Sequence, residues 1–517
     1  MSAVATTKST KKTAKGAKGA KAAKTNGHTN GAALKVKAKA PAAKAQPAPK
    51  ANGGGATAKV EAPAKAIRHL FGTDGIRGTA NEWPITPELA LQLGKAVTHV
   101  AGRDKAHTPR ILIGKDTRLS GYMIEQAIAA GITSMGGRVM LCGPIPTPAV
   151  AQLTVSMRAD AGIVISASHN PYQDNGIKIF GDDGFKLADE MEAEIERLME
   201  NDGHALGARP TGPGIGKATR LDDASGRYVV FAKATFPRGL SLDNLRVVVD
   251  GAHGAAYKVA PVVFSELGAS VTAIGVKPNG VNINKDSGAL HPDNVRAEVV
   301  KRGAQIGIAL DGDADRLIVI DEKGQIVDGD VVMAMCASRM IDEGELAKKT
   351  LVATVMSNLG LERAMQRKGG KMVRTAVGDR YVVEAMRNGG FTFGGEQSGH
   401  LIFLEHASTG DGIVAALQVL AIMVKTGRPL SELAKDAMER VPQVLENVTL
   451  PARQPLEQMR LLSVATAKVK DALGDDGRVL VRWSGTEPKL RIMLEGPDED
   501  KLRRWAKDLA SAAKKDS

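Results

Sequence analysis

Cysteine is almost missing: Cys142 and Cys336 stand alone in 517 residues, and neither has a CxxC neighbour. Two scattered thiols exclude a disulfide framework and a thiolate zinc site, and they fit a reducing cytoplasm. Both are expected to be small core residues. Long apolar runs are missing as well, since no stretch reaches the ~18 residues a membrane-spanning helix needs. The N-terminus has no compact apolar segment followed by a small-residue cleavage site, so no secretory signal is expected. These absences point to a cytoplasmic protein with no membrane partner.

Acid is scarce in one place. Residues 1–65 hold 14 lysines and a single acid, Glu61, which accounts for the whole formal charge of +13. The rest of the chain is formally neutral. The same 65 residues are Ala, Lys, Thr, Gly and Pro with almost no aromatic or large aliphatic side chains. Such a segment buries too little apolar surface to offset its ordering entropy, and a disordered tail is expected. Two readings of it stay open: a polyelectrolyte arm making weak, salt-sensitive contacts with nucleic acid, or an extension without a catalytic role.

The length suggests three to five domains, and 43% hydrophobic residues with 57 glycines describe a turn-rich α/β chain. From Ile67 onward short apolar runs alternate with helical patterns, as in βα units on a largely parallel sheet. Thr86-Pro87-Glu88 reads as a capped helix start, and Ser120 as the cap of the next helix. A second set begins with the strand Arg246–Val249, followed by a helix over Ala255–Leu267. A third contains the strand Leu351–Val355 and the helices Gly360–Arg367 and Arg380–Arg387. The last ~75 residues read as strand, long helix, two strands and a terminal helix, a separate two-layer α+β unit. The boundaries expected are 1–65 for the tail, then 66–221, 222–322, 323–440 and 441–517 for four domains.

Four motifs carry chemistry. Ile165-Ser166-Ala167-Ser168-His169-Asn170-Pro171 follows a buried-type strand and displays a hydroxyl at the carboxyl end of the sheet, where α/β proteins place ligands. A serine needs an activating base or a group already attached, and His169 is a candidate base; a plain structural turn is the other reading. Asp311-Gly312-Asp313-Ala314-Asp315-Arg316 sets three carboxylates at alternate positions, a hard oxygen cluster suited to Mg²⁺. Glu322, eleven residues after Asp311, brings the spacing close to a calcium-binding EF-hand. Arg316 stands where that loop needs glycine, and both flanks read as strands, so Mg²⁺ is preferred. Gly394-Gly395-Glu396-Gln397-Ser398-Gly399-His400 offers partners for sugar hydroxyls. Arg482-Trp483-Ser484-Gly485-Thr486-Glu487-Pro488, joined by Arg491, suits a phosphate cradle. For these last two a satisfied structural loop remains open. Gly212–Lys217 lacks P-loop spacing and is read as a linker.

Taken in order, the four motifs resemble those of the α-D-phosphohexomutase superfamily over roughly Ile67 to the C-terminus. Phe71-Gly72-Thr73-Asp74-Gly75-Ile76-Arg77-Gly78 resembles its opening motif. The complete serine loop, Ser357–Leu361, Val377-Gly378-Asp379-Arg380-Tyr381 and Gln397 resemble the branch acting on glucosamine phosphates; His253 departs from it, standing where Asn is expected. The resemblance implies three similar α/β layered domains and a C-terminal α+β domain, with one motif per domain around a central cleft. It implies an isomerase interconverting glucosamine 6-phosphate and glucosamine 1-phosphate through a phosphoserine at Ser168 and a 1,6-bisphosphate, which also serves as activator. Glucose or mannose phosphates are the alternative substrates. One Mg²⁺ per chain would be held by Asp311, Asp313, Asp315 and Ser168. Lys178 would carry the proton, with Arg77 and Arg316 beside the transferring phosphate. Asp379, Arg380, Glu396, Ser398 and His400 would meet the sugar, and Arg482, Ser484, Gly485, Thr486 and Arg491 its other phosphate. A homodimer is a further implication.

Overall fold

The computed structural model describes residues 68–200, 206–484 and 489–517. The tail expected over 1–65 lies outside them, as do Gly485 and Thr486.

The first sheet is built from strand β1 (Ile76–Thr79), helix α1 (Pro87–Gly102), β2 (Arg110–Lys115), α2 (Ser120–Ser134), β3 (Arg138–Pro144), α3 (Thr147–Ser156), β4 (Ala161–Ile165), β5 (Asp174–Gly181), α4 (Asp189–Met199) and β6 (Ala218–Arg220). Its order is β1-β5-β4-β2-β3-β6. The second comprises α5 (Ala224–Ala234), β7 (Arg246–Asp250), α6 (Val259–Glu266), β8 (Ser270–Ile274), α7 (Asp293–Arg302), β9 (Ile306–Leu310), β10 (Leu317–Asp321) and β11 (Ile326–Val327), ordered β11-β10-β9-β7-β8. The third has α8 (Gly329–Asp342), β12 (Thr350–Thr354), α9 (Leu359–Arg367), β13 (Lys371–Thr375), α10 (Asp379–Gly389), β14 (Phe393–Gly395), β15 (Leu401–Phe403), α11 (Gly412–Thr426) and α12 (Leu430–Ala437), ordered β13-β12-β14-β15. The last has β16 (Gln443–Thr449), α13 (Arg460–Leu473), β17 (Arg478–Trp483), β18 (Lys489–Glu495) and α14 (Glu499–Lys515), with an antiparallel sheet ordered β16-β18-β17.

The largely parallel sheets expected from the βα rhythm are mixed. Strands β6, β3, β2 and β4 run parallel, but β5 and β1 join antiparallel. Likewise β9 turns back into β10, and β14 into β15. The reversals from β4 to β5, β9 to β10 and β14 to β15 are short hairpins rather than helical crossovers, and these hairpin loops carry motif residues. The central strands read as unbroken apolar runs because both of their faces are covered: every residue of β4 and β9 is buried.

Thr86 caps α1 as expected, its Oγ1 accepting from Leu89 N at 3.3 Å, with Pro87 at the first helical position. Ser120 does not cap α2. It is the helix's first residue, and its Oγ accepts from Asn175 Nδ2 at 2.8 Å. The helix expected from Ala255 begins at Val259, because the preceding turn is bent by positive φ at Ala252 and His253 and its backbone packs on the acidic loop, Ala255 N donating to Gly312 O at 2.8 Å. Gly212–Gly214 forms a short exposed 3-10 turn leading into edge strand β6.

One hydrophobic core runs continuously through the first three sheets, from Val150 through Ile308 to Leu417. The last sheet keeps its own, around Val448, Leu490, Ile492 and Leu502. Both cysteines are buried, and burial pushes each thiol up to about 12. No single helix among the described residues is long and apolar enough to cross a membrane.

Candidate active site

Strand β4 ends at Ile165, and the chain then turns through Ser166 to Pro171. Ser168 adopts φ +50°, a left-handed conformation that a non-glycine residue holds only when its surroundings impose it. Ser166 Oγ accepts from Ser168 N at 2.9 Å, and the loop carbonyls accept from Arg118 and Asn284. The conformation turns Ser168 Oγ toward the second sheet, where it donates to Asp311 Oδ2 at 2.6 Å. His169 Nδ1 lies 3.3 Å from the same Oγ and accepts from Arg316 Nη1 at 3.1 Å. Burial, then Arg316 and Arg77, lowers His169 to about 4, so its ring is neutral near pH 7.

The acidic loop joins β9 to β10. Gly312 must be glycine, since a Cβ there would meet the Ser168 carbonyl oxygen and the Asn284 amide, while Gly254 packs on its other side. Asp311, Asp313 and Asp315 bring ligand oxygens within 4.8 Å of one another, all buried. Thr147 Oγ1 (2.6 Å) and Lys178 Nζ (3.0 Å) donate to Asp313 Oδ2, whereas Asp313 Oδ1 and Asp315 Oδ1 make no hydrogen bond. Three buried carboxylates with two unpartnered oxygens are a costly arrangement without a cation and a fitting donor set for Mg²⁺. The strands on both sides exclude the helix-loop-helix of an EF-hand.

Burial, reinforced by Asp315 and Asp313, raises Asp311 to about 8. At pH 7 it therefore carries a proton that an incoming divalent cation has to displace. Mg²⁺ affinity is expected to rise as pH increases from 6 toward 8, by up to about tenfold per unit, and then level off. Calorimetric titration should show proton release near pH 7; binding independent of pH would show that Asp311 is already ionised in the empty site.

Lys178, on β5, is fully buried. Burial alone would lower it, but Asp313, Asp74 and Asp315 hold it well above the ordinary lysine range, so it stands as an ammonium. Its Nζ lies 3.3 Å from Asp315 Oδ2 and 3.3 Å from Asp74 Oδ2. Asp74 also pairs with Arg77 and with Lys186, and Lys186 Nζ reaches Asp379 Oδ2 at 2.7 Å. His400 lies between the two ends, Nε2 3.6 Å from Asp379 and Nδ1 3.7 Å from Asp315, with Nε2 accepting from Gly410 N at 3.1 Å. Against its burial, Asp315 raises His400. Asp315, Lys178, Asp74, Lys186 and Asp379 thus form a chain of alternating charge joining the first three sheets.

Glu396 and Ser398 sit together in the turn between β14 and β15. Glu396 accepts from Gly378 N at 3.1 Å and from Ser398 Oγ at 3.2 Å. Arg380 is placed elsewhere, paired with Asp189 and Glu192 of the first domain. In the last sheet Arg482 and Arg491 are cross-strand partners. Like charges directly opposite repel, and burial together with Arg491 lowers Arg482. Both Nε groups are buried without a hydrogen bond, so the pair is poised for an anion. Ser484 is buried at the end of this strand pair.

Sequence reasoning did not single out Thr147, Arg118, Asn284, Asp74 or Lys186 as site residues. Only Asp74 stood in a motif. The others lie 18 to 116 residues from Ser168, so nothing local marks them.

Four family models match the chain, all described as phosphoglucomutase/phosphomannomutase: alpha/beta/alpha domain I over residues 68–205, domain II over 228–324, domain III over 328–441 and the C-terminal domain over 445–512. The chain is 67% identical over 450 residues to a phosphoglucosamine mutase of Sorangium cellulosum, covering 87% of this chain and 93% of that one. It is 57% identical over 452 residues to one from Myxococcus xanthus, covering 87% and 98%. A crystal structure of a phosphoglucomutase/phosphomannomutase family protein from Burkholderia thailandensis superposes with TM-score 0.72 at 24% identity, covering 86% and 97%. Aspergillus fumigatus N-acetylphosphoglucosamine mutase, solved in complex with GlcNAc-6P and magnesium, gives TM-score 0.58 at 18% identity, covering 87% and 96%.

Proposed function

The chain belongs to the phosphoglucomutase/phosphomannomutase family, and from that premise we propose that it interconverts glucosamine 6-phosphate and glucosamine 1-phosphate through phosphorylated Ser168 and a 1,6-bisphosphate intermediate. The observation that carries the chemistry is the 2.6 Å approach of Ser168 Oγ to Asp311 within the three-carboxylate cluster. The sugar is taken from the relatives' activity.

In the transfer step the open hydroxyl oxygen of the sugar bonds to phosphorus as the P–Oγ bond to Ser168 breaks. The attacking hydroxyl loses a proton and the departing serine oxygen gains one, so charge is conserved. Lys178 is the carrier we assign, giving its proton to the oxygen that leaves and taking one from the oxygen that attacks. Arg77 and Arg316 supply positive charge beside the group in transit, and neutral His169, accepting from Arg316, holds that guanidinium at the serine. Mg²⁺ on Asp311, Asp313 and Asp315, with Ser168, would neutralise charge developing on the phosphoryl oxygens.

Glu396 and Ser398 hold sugar hydroxyls, with Asp379 and His400 behind them. Arg482, Ser484 and Arg491, with Gly485 and Thr486, grip the phosphate that does not react. One cradle accepting either end of the bisphosphate lets the intermediate turn round and return its other phosphate to Ser168. The separate core of the last domain supports its moving to allow that turn. A homodimer in the cytoplasm, with its product feeding UDP-N-acetylglucosamine synthesis, completes the reading. Contacts of residues 1–65 with nucleic acid would be independent of it.

The deciding measurement is kcat/KM for glucosamine 6-phosphate against glucose and mannose phosphates. Preference for the amino sugar is expected. Preference for a neutral sugar would replace the substrate and leave the mechanism standing.

A further inference from the structure

The carbonyl oxygens of Ser168 and Asn170 each accept two hydrogen bonds, and the donors come from two different domains. Arg118, wholly buried and paired with Asp116, donates through Nη2 to Ser168 O (3.2 Å) and Asn170 O (2.6 Å). Asn284, on the loop between β8 and α7, donates through Nδ2 to the same oxygens at 2.9 and 3.1 Å. Asn284 is itself at φ +58°, and its backbone is anchored by donation to Ala252 O at 2.9 Å. No room remains for adjustment, since a Cβ on Gly312 would strike both the Asn284 amide and the Ser168 carbonyl.

A backbone held at positive φ relaxes if its carbonyls are released, and a rotation at Ser168 would swing Oγ away from Asp311. Arg118 belongs to the same domain as the serine loop, so it stiffens the loop without registering it on the acidic turn. Asn284 belongs to the domain that carries that turn. We infer that Asn284 is a positioning residue for phosphoryl transfer: its amide locks the serine loop to the domain bearing Asp311, fixing Ser168 Oγ for in-line displacement whichever end of the sugar is presented. The inference rests on the assignment of Ser168 as the phosphate carrier.

Two variants separate this role from space-filling. Asn284→Gly tolerates the positive φ and removes the donor without adding charge. Asn284→Asp keeps the volume and the left-handed preference but turns a donor into an acceptor facing two carbonyls. With Mg²⁺ present, uptake of one phosphoryl group from glucose 1,6-bisphosphate is followed by intact mass against time. Misplacement of a reacting atom by ~1 Å costs about 10²-fold, so Asn284→Gly is expected to slow uptake by roughly 10- to 100-fold, with Asn284→Asp at least as slow. KM should stay near its original value while kcat falls.

A space-filling role predicts instead that Asn284→Asp matches the unaltered protein. That result, or a folded glycine variant that keeps pace, overturns the inference. If the unaltered protein itself takes up no phosphoryl group, the reading of Ser168 falls and this inference with it.

Discussion

Ser168→Ala is expected to lower turnover by about 10⁴-fold or more, the scale on which removing a covalent nucleophile acts. The whole chemical route passes through one oxygen, and the arrangement around Oγ leaves no substitute. Asp311 accepts from it, Ser166 is committed to the loop backbone, and Thr147 is committed to Asp313. Incubation of the unaltered chain with a sugar 1,6-bisphosphate should add the mass of one phosphoryl group, and the alanine variant should add none. The variant should remain folded, since the loop is held through the Ser168 carbonyl and amide. Phosphorylation persisting in Ser168→Ala would move the nucleophile elsewhere and dissolve the proposed mechanism.

The second large effect is expected at Lys178. Replacement by methionine should reduce kcat by about 10²- to 10⁴-fold, the usual contribution of a positioned acid or base. Lys178→Arg separates proton transfer from charge: a guanidinium neutralises Asp313, Asp315 and Asp74 but does not release its proton. Arginine should therefore restore thermal stability more fully than activity. Recovery of both in Lys178→Arg would show that the residue supplies charge alone. Methionine also leaves Asp315 underpaired in a buried setting and takes one of three cations from half-buried Asp74. The Lys178→Met variant should consequently lose stability as pH rises through the range where those acids ionise, a trend opposite to acid denaturation.

Much of the site was legible because its chemistry sits in short loops at strand ends. The runs Ile163–Ile165 and Ile306–Leu310 announce buried strands, and polar residues crowded just after them have only a sheet's edge on which to stand. The approach of Ser168 to Asp311 was not legible in spacing, because 143 residues separate them and only the packing of two sheets closes that distance. The same holds for Lys186, which looks like one lysine in a glycine-rich turn until the third domain brings Asp379 to it. Arg380 shows the converse. It follows Asp379 in a motif, yet the first turn of α10 sends its guanidinium to Asp189 and Glu192. Strand direction was missed where a hairpin replaces a crossover, as at Leu310 and Leu317, since apolar runs look alike whichever way they run. The Ser120 misreading arose because a hydroxyl before an apolar pattern fits a cap by composition, while Asn175, which it serves, is 55 residues away.

The chain of charges through Asp315, Lys178, Asp74, Lys186 and Asp379 also limits how this sequence can drift. Its inner members, Lys178, Asp74 and Lys186, each face opposite charge on either side, so a lone replacement leaves a buried or half-buried neighbour underpaired. Neutral exchange is open only to adjacent positions changing together, such as Lys186 with Asp379, whose codons lie almost two hundred residues apart and in different domains. Transplanting either domain from a distant relative without the other would carry half of such a pair, and chimeras cut between them should fail unless the matching residue travels too.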